Sequence, residues 1–364
     1  MDGSSQTRIV AAMSGGVDSS VAAALLLERG FDVIGVTLRL HASPRGLSCC
    51  GTEAVAQARA VAGRLGIHHY VLDCHQAFER IVLLPSWKEY ARGRTPNPCI
   101  ICNENIKFGV LLDYAKALGA EKIATGHYAR IGARKKGQAF LMRGVDMRKD
   151  QSYFLFSVSA DKLSAALFPV GLYTKDAVRD MARSIGLQNA DREESQDVCF
   201  SRKGTAFPEV LRQWFREGST PGPLLDEEGR FLAMHGGIHR FTIGQRRGLG
   251  VALGSAAWVK SIDPKSGVVS LTTRKDGLIA QGLIATGVRW HAFNQRFKRL
   301  RCSVQARYNQ TPVLATVEHE EPGAVRVLFD RPLPAVTPGQ AAVFYSGDRL
   351  LGGGWIDRPI YGEK

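Results

Sequence analysis

A parallel α/β domain followed by two smaller β-rich parts is predicted by three observations. Short apolar runs alternate with helical patterns over the first part of the chain. The texture turns glycine-rich near Thr220, and regularly spaced extended segments follow from about Gly282. Strands alternating with helices build a parallel sheet covered on both faces, whereas the late segments are spaced like antiparallel strands. The expected partition of the 364 residues is 1–217, 218–281 and 282–364.

In order, IVAAM (9–13) reads as a short strand, and Ser19 to Leu27 as a helix closed by Gly30, a C-terminal glycine signal. DVIGVTLRL is a second strand, TEAVAQARAVAGRLG an amphipathic helix ending at Gly66, and HHYVLD a third strand. A long helical stretch containing Pro85 leads to the helix NENIKFGVLLDYAKALG, and EKIATGHY is another strand. Helical pattern then persists to about residue 217 through TKDAVRDMARSIG and FPEVLRQWFREG. PGPLLDEEGRFLAMHGGIHRFTIGQRRGLGV opens a small β-rich unit, and CSVQARY, PVLATVEHE, AVRVLFD and AAVFYSG supply the last strands.

Composition (45% hydrophobic, 23% charged) is that of an ordinary globular protein. No apolar stretch approaches the roughly 20 residues that cross a bilayer, and MDGSSQTR lacks a signal-peptide core. A cytoplasmic location is expected. Lys plus Arg exceed Asp plus Glu by 48 to 34, leaving +14. Such an excess points to a polyanionic partner, a generic basic surface being the alternative. Cys49, Cys50, Cys74, Cys99, Cys102, Cys199 and Cys302 form an odd, scattered set. In a reducing compartment that argues for metal or thiol chemistry rather than a disulfide scaffold.

SGGVDS, between the first strand and helix, is not the Walker pattern, because no lysine follows the second glycine. Its physics is similar: Gly15 and Gly16 let backbone N–H groups face an anion, Ser14, Ser19 and Ser20 add hydroxyls, and a helix N-terminus points to the same place. Asp18 makes sense beside a phosphate as a ligand for Mg²⁺. A plain strand–turn–helix corner is the bland alternative.

In GRTPNPCIICNENIKFG, Cys99 and Cys102 form a CxxC before a helix capped by Asn103, which would favour the Cys102 thiolate. REESQDVCFS places Cys199 in a polar loop. Three readings compete. A zinc or iron–sulfur site lacks a second CxxC or HxxxH. The cysteines could be inert. Or one carries sulfur as a persulfide and the other resolves it. Cys74 and Cys302, in strand-like contexts, are expected in the core, and Cys49 and Cys50 to be incidental.

SGGVDS resembles the PP-loop of ATP pyrophosphatases, which implies a Rossmann-like sheet, Mg²⁺ and ATP. Together with TPNPCIICNENIKFG, ATGHYAR, KDQSYFL, SQDVCF, FTIGQRRGLGV and TPGQAAVFY, the sequence resembles the bacterial tRNA-specific 2-thiouridylase family over residues 9–355. That likeness implies a PP-loop domain, a small central domain and a C-terminal antiparallel β-barrel. It implies 2-thiolation of the wobble uridine in the tRNAs for Lys, Glu and Gln, with sulfur from a persulfide relay protein and no tightly bound organic cofactor.

Carried over, the resemblance gives Ala11, Ala12, Met13, Ser14, Gly15, Gly16, Val17, Asp18 and Ser19 to the ATP phosphates. Leu38 and Gly126 border the adenosine. Cys199 is the persulfide carrier and Cys102 the resolving thiol, ending as a disulfide. Asn97, Pro98 and Cys99 lie by the flipped base; Lys149, Asp150 and Gln151 contact tRNA, with Arg246, Arg247, Arg307, Tyr308 and Gln340 as further candidates. Some members carry Asp where Cys99 stands, assisting catalysis. A thiol is a weaker base, which leaves that role open; His127 is an alternative proton carrier or a tRNA or nucleotide contact. Between 128 and 149, Arg130, Arg134, Lys135, Lys136, Arg143, Arg148 and Lys149 face one acid, Asp146, a density that predicts phosphate contact.

Overall fold

The computed structural model describes residues 6–40, 52–133, 139–191, 205–291 and 297–362. The chain divides into two compact units. One comprises Met1–Val82, Cys99–Arg202 and Asp348–Leu350; the other comprises Leu83–Pro98, Lys203–Gly347 and Leu351–Lys364.

In the first unit, β1 (Arg8–Ala12) leads into α1 (Val17–Glu28), β2 (Asp32–Arg39), α2 (Thr52–Leu65) and β3 (His69–Asp73). β4 (Lys122–Ala124), a hairpin of β5 (Ala129–Ala133) and β6 (Ala139–Arg143), and β7 (Ala166–Leu167) follow. Five strands pair in parallel in the order β3-β2-β1-β4-β7. β1 occupies the middle because Ile9, Val10 and Ala11 offer no polar alternation, and all three are buried. The chain winds outward from β1 to β3 and then crosses back to β4. A crevice therefore opens beyond the carboxyl end of β1, where such sheets take their ligands. α1 starts in that crevice. Val21 to Leu26 are apolar on every side and buried, as suits a helix inside the core. Gly30, at φ +79°, supplies the left-handed residue that ends it.

The stretch between β4 and the helix Lys175–Ser184 corrects the helical expectation there: besides a five-residue helix, Ala160–Ser164, it holds the β5–β6 hairpin, β7 and short 3₁₀ turns. In AFLMR, buried and half-buried positions alternate strictly, a period-2 signal only five residues long. Arg349 pairs with Met142, and the Arg143 amide donates to the Asp348 carbonyl (2.9 Å), which brings residues 348–350 into this unit.

The second unit combines the helices Leu84–Ala91 and Phe207–Phe215 with two β-structures. β8 (Gly222–Leu225), β9 (Phe231–His235), β10 (Trp258–Ile262) and β11 (Val269–Thr272) form a small sheet in the order β10-β11-β8-β9. β12 (Ile279–Trp290), β13 (Arg299–Gln305), β14 (Val313–Glu321), β15 (Ala324–Pro334), β16 (Ala341–Ser346) and β17 (Arg349–Ile360) form a barrel. Antiparallel pairing of β12 with both β15 and β17 closes it and removes the sheet edges. Leu283, Val304, Val317, Val327, Phe344 and Ile356 fill the inside. Cys302 is buried there and its thiol is pushed up to about 12, while burial and the Asp73 carboxylate push Cys74 up to about 11. Both stay protonated, the core role expected of them.

Candidate active site

The cradle is built from the backbone outward. Gly15 has φ +78°, and a Cβ there would stand 2.6 Å from the Ala54 carbonyl oxygen of α2, so only glycine fits. The Ser19 hydroxyl donates to the Gly16 carbonyl (2.9 Å) and accepts from the Ser14 amide (3.2 Å), closing the turn on itself. The Ser20 hydroxyl also donates to the Gly16 carbonyl, at 2.9 Å. With the carbonyls held this way, the first N–H groups of α1 remain available to an anion. Gly126 lies against this helix start: a Cβ on it would come within 2.7 Å of the Ser19 nitrogen. The two backbones approach closely there, which only a glycine at 126 allows. Leu38 is buried in β2, and Ala11 and Met13 are buried at the end of β1.

Asp18 is not isolated. Its Oδ1 accepts from the Lys175 ammonium (2.7 Å) and from the Tyr128 hydroxyl (2.7 Å), and Lys175 lies 5.7 Å from the Tyr128 ring centroid. The Lys175 side chain is only 4% exposed, so its charge needs this carboxylate. Lys175 was missed in the sequence. The available signal was a cation at the first position of a helix, where the macrodipole disfavours positive charge. Its backbone amide donates to Asp146 (3.1 Å). Burial pushes the Asp146 carboxyl up, but amide bonds from Lys175 and Arg148 and the Arg148 guanidinium outweigh it and hold it below the usual carboxylate value.

His127 is buried between the rings of Phe108 and Phe168, and its two nitrogens are occupied. Nε2 faces the Lys107 ammonium at 3.4 Å, which can only donate; Nδ1 therefore carries the proton toward the Thr125 hydroxyl at 2.6 Å. Burial first, and then the Lys107 charge, hold its pKa well below 6.5. The environment favours a neutral ring at His127, with Nε2 facing Lys107. Below about pH 6.5 the unfolded chain binds a proton here that the folded chain refuses, so this residue costs stability as pH falls. Thermal unfolding should show a Tm loss between pH 7.5 and 5.5 that is smaller in His127→Gln.

Around the CxxC, the helix begins at Pro98 rather than at Asn103. Cys102 has helical angles (φ −61°, ψ −46°), and the chain continues with π-type winding over Asn103–Val110. Asn103 caps nothing; its amide donates to the Phe154 carbonyl (2.9 Å). The dipole argument therefore applies to the half-buried Cys99, second residue of the helix, more than to the buried Cys102. Neither forms a disulfide with another of the described residues. Pro96, Asn97 and Pro98 are buried, and the Gln340 amide donates to the carbonyls of Thr95 (2.9 Å) and Pro96 (3.3 Å), so Gln340 anchors this approach segment.

The basic segment is partly turned inward. Asp150 is 6% exposed and accepts from the Arg143 guanidinium (2.7 Å), the Gly144 amide (3.0 Å) and the Ser152 amide and hydroxyl (3.0 and 2.9 Å). Its carboxylate shapes the turn. Arg130 is likewise committed to the Arg143 carbonyl and Asp348. Gln151 holds Tyr128 through its side chain (3.2 Å) and its backbone amide (2.8 Å), and so supports the Asp18 contact. Arg148, Arg246, Arg247 and Arg307 are exposed, Lys149 and Tyr308 half-buried. Cys199, Cys49, Cys50, Arg134, Lys135 and Lys136 lie outside the described residues.

A phosphate cradle at the switch point of a parallel sheet, followed by a small β-unit and a closed barrel, defines a nucleotide-using α/β enzyme of the HUP type. Residues 7–203 match a family model described as the tRNA methyl transferase HUP domain, 209–272 its PRC-barrel domain, and 280–356 an aminomethyltransferase beta-barrel domain. A tRNA-specific 2-thiouridylase (MnmA) of Carboxydothermus hydrogenoformans is 44% identical over 99% of this chain and 100% of its own length. One from Chloroflexus aggregans is 45% identical over 97% and 99%, and one from Pelotomaculum thermopropionicum 43% over 97% and 98%. The chain belongs to the tRNA-specific 2-thiouridylase family.

Proposed function

We propose that this protein is a tRNA-uridine 2-sulfurtransferase that uses ATP to thiolate the wobble uridine of the tRNAs for Lys, Glu and Gln in the cytoplasm. The observation that carries the reading is end-to-end similarity to 2-thiouridylases in a chain that joins a glycine-turned phosphate cradle to a thiol-bearing helix. The partition 1–217, 218–281 and 282–364 goes with it. The uridine C2 oxygen attacks the ATP α-phosphorus, pyrophosphate leaves, and the C2 oxygen becomes part of an AMP leaving group. Cys199 carries the persulfide delivered by a relay protein. The Cys102 thiolate attacks the inner sulfur of that persulfide, forming a Cys102–Cys199 disulfide and releasing hydrosulfide. Hydrosulfide adds to C2, AMP departs, and an external reductant restores the thiols.

Asp18, with Lys175 and Tyr128 on one oxygen, fits a magnesium ion held chiefly by the ATP phosphates, since Mg²⁺ commonly takes one or two carboxylates beside phosphate oxygens. That ion would neutralise charge on the phosphates. Lys175 pairs with Asp18 and orients it, and Gly126 lets the loop after β4 approach the helix start. Cys99, Asn97, Pro98, Lys149, Arg307, Tyr308 and the exposed Arg246 and Arg247 are assigned to tRNA.

A methyl-transfer reading, suggested by the name of the matching HUP domain family, has no use for a phosphate cradle. The deciding assay incubates protein, Mg-ATP, a persulfide donor and unmodified tRNA, and looks for a band retarded in a mercury-containing gel. Retardation that requires ATP is expected; its absence with folded protein and an active donor sinks the proposal.

A further inference from the structure

We infer that Asn189 is a positioning residue for the phosphate loop, setting the direction in which the Gly15–Gly16 peptide points; the inference rests on reading that loop as an ATP cradle. Asn189 lies just beyond the helix Lys175–Ser184 and is 7% exposed. Its Nδ2 donates to the Gly15 carbonyl (2.9 Å) and to the Ser20 hydroxyl (3.1 Å). Ser20 in turn donates to the Gly16 carbonyl at 2.9 Å. One side-chain amide thus gathers, directly or through one hydroxyl, the carbonyls of both glycines.

The consequence follows from peptide geometry. In a planar trans peptide the C=O and the following N–H point in opposite directions. Fixing the Gly15 carbonyl on Asn189 therefore aims the Gly16 N–H away from Asn189. On that opposite side stands the exposed Ser14, whose hydroxyl is 3.4 Å from the Gly16 nitrogen. That distance is a weak hydrogen bond, and a phosphate oxygen offers a stronger, charged acceptor. Without Asn189 the peptide can rotate, because both flanking residues are glycine and Gly15 already sits at φ +78°. A rotated peptide would present a carbonyl to the phosphate. The amide orientation is itself determined: reversed, Asn189 Oδ1 would face the Gly15 carbonyl oxygen. As placed, Oδ1 has no partner among the described residues, so the side chain is held through its donor end alone.

The test titrates full-length protein with Mg-ATP and with inorganic pyrophosphate by calorimetry, and follows thermal unfolding in parallel. Asn189→Ala is expected to weaken both ligands about tenfold or more, the scale of a lost buried hydrogen bond. In thiolation assays it should raise KM for ATP while leaving KM for tRNA unchanged, a split that general destabilisation would not produce. Asn189→Asp, which sets a carboxylate against the Gly15 carbonyl, should be at least as damaging. Gln188→Ala, at the exposed position just before Asn189, is expected to bind both ligands as wild type does. Folded Asn189→Ala that binds both ligands within twofold of wild type overturns the inference. If that variant is too unstable to titrate, Ser20→Ala decides: weakened binding at unchanged Tm supports it, and unchanged binding refutes it. Asn189-dependent ATP binding without tRNA thiolation would refute the functional reading and leave this inference standing; thiolation with ATP affinity indifferent to Asn189 would do the reverse.

Discussion

Cys102→Ser and Cys199→Ser should each reduce tRNA thiolation by roughly a thousandfold or more, while pyrophosphate release in the presence of tRNA continues. A serine hydroxyl at 102 cannot attack a persulfide, and a serine at 199 cannot carry one, so each removes a covalent step rather than weakening it. Adenylation needs neither sulfur. The two reactions should therefore come apart: pyrophosphate counted by a coupled assay within a few-fold of wild type, and no retarded band in a mercury gel. Combining the two substitutions should cost little more than either alone, because both interrupt one pathway. A single serine variant that keeps a tenth or more of wild-type thiolation would rule out the two-cysteine route. The burial of Cys102 at 7% exposure sharpens this expectation: the thiol is shielded from bulk solvent and should be alkylated slowly before substrate engages.

Lys175→Met should reduce adenylation about a hundredfold or more at saturating ATP. The substitution keeps most of the buried stem but deletes the ammonium 2.7 Å from Asp18. Asp18, 30% exposed at the helix start, then faces the ATP phosphates as an uncompensated negative charge. Removing a partner of a fully buried pair costs about 3–5 kcal/mol; because Asp18 reaches solvent, the stability loss here should be smaller, about 1–3 kcal/mol by urea unfolding. Lys175→Arg should recover folding better than activity, since a planar fork does not reproduce a point charge at that site. Pyrophosphate release by Lys175→Met at more than a third of the wild-type rate would show that the pair serves packing alone.

Legibility differed by the range of the interaction. SGGVDS, the apolar run before it and the alanine-rich helix after it are contiguous, so the cradle was readable: Gly15 must be glycine for its φ of +78°, and the helix start lies next to it in the chain. The barrel was legible as spaced strands and as what the resemblance implied, whereas its closure through β12 and β17 came from the structure. The β5–β6 hairpin was not, because two five-residue strands within a strongly basic segment leave little periodicity. That same segment gave no sign of the four internal hydrogen bonds of Asp150, which come from Arg143, Gly144 and Ser152. The helix around Cys102 was placed five residues late. Asn103 looks like a cap, but Pro98 starts the helix, and proline is well suited to a first helical turn.

By itself the sequence determined the phosphate-binding turn, the order of the three parts and, through long matching motifs, the chemistry to expect of Cys102 and Cys199. These depend on neighbours in the chain or on patterns that extend along it. Only the tertiary structure decided which side chains complete the turn: Lys175 and Tyr128 on Asp18, Asn189 on Gly15, and Gly126 against Ser19. Those partners come from 107 to 174 positions away, as 126 less 19 and 189 less 15 give. Nothing local marks a lysine or an asparagine as the partner of a loop so distant; burial does, because a buried charge or amide must find its counterpart across the fold.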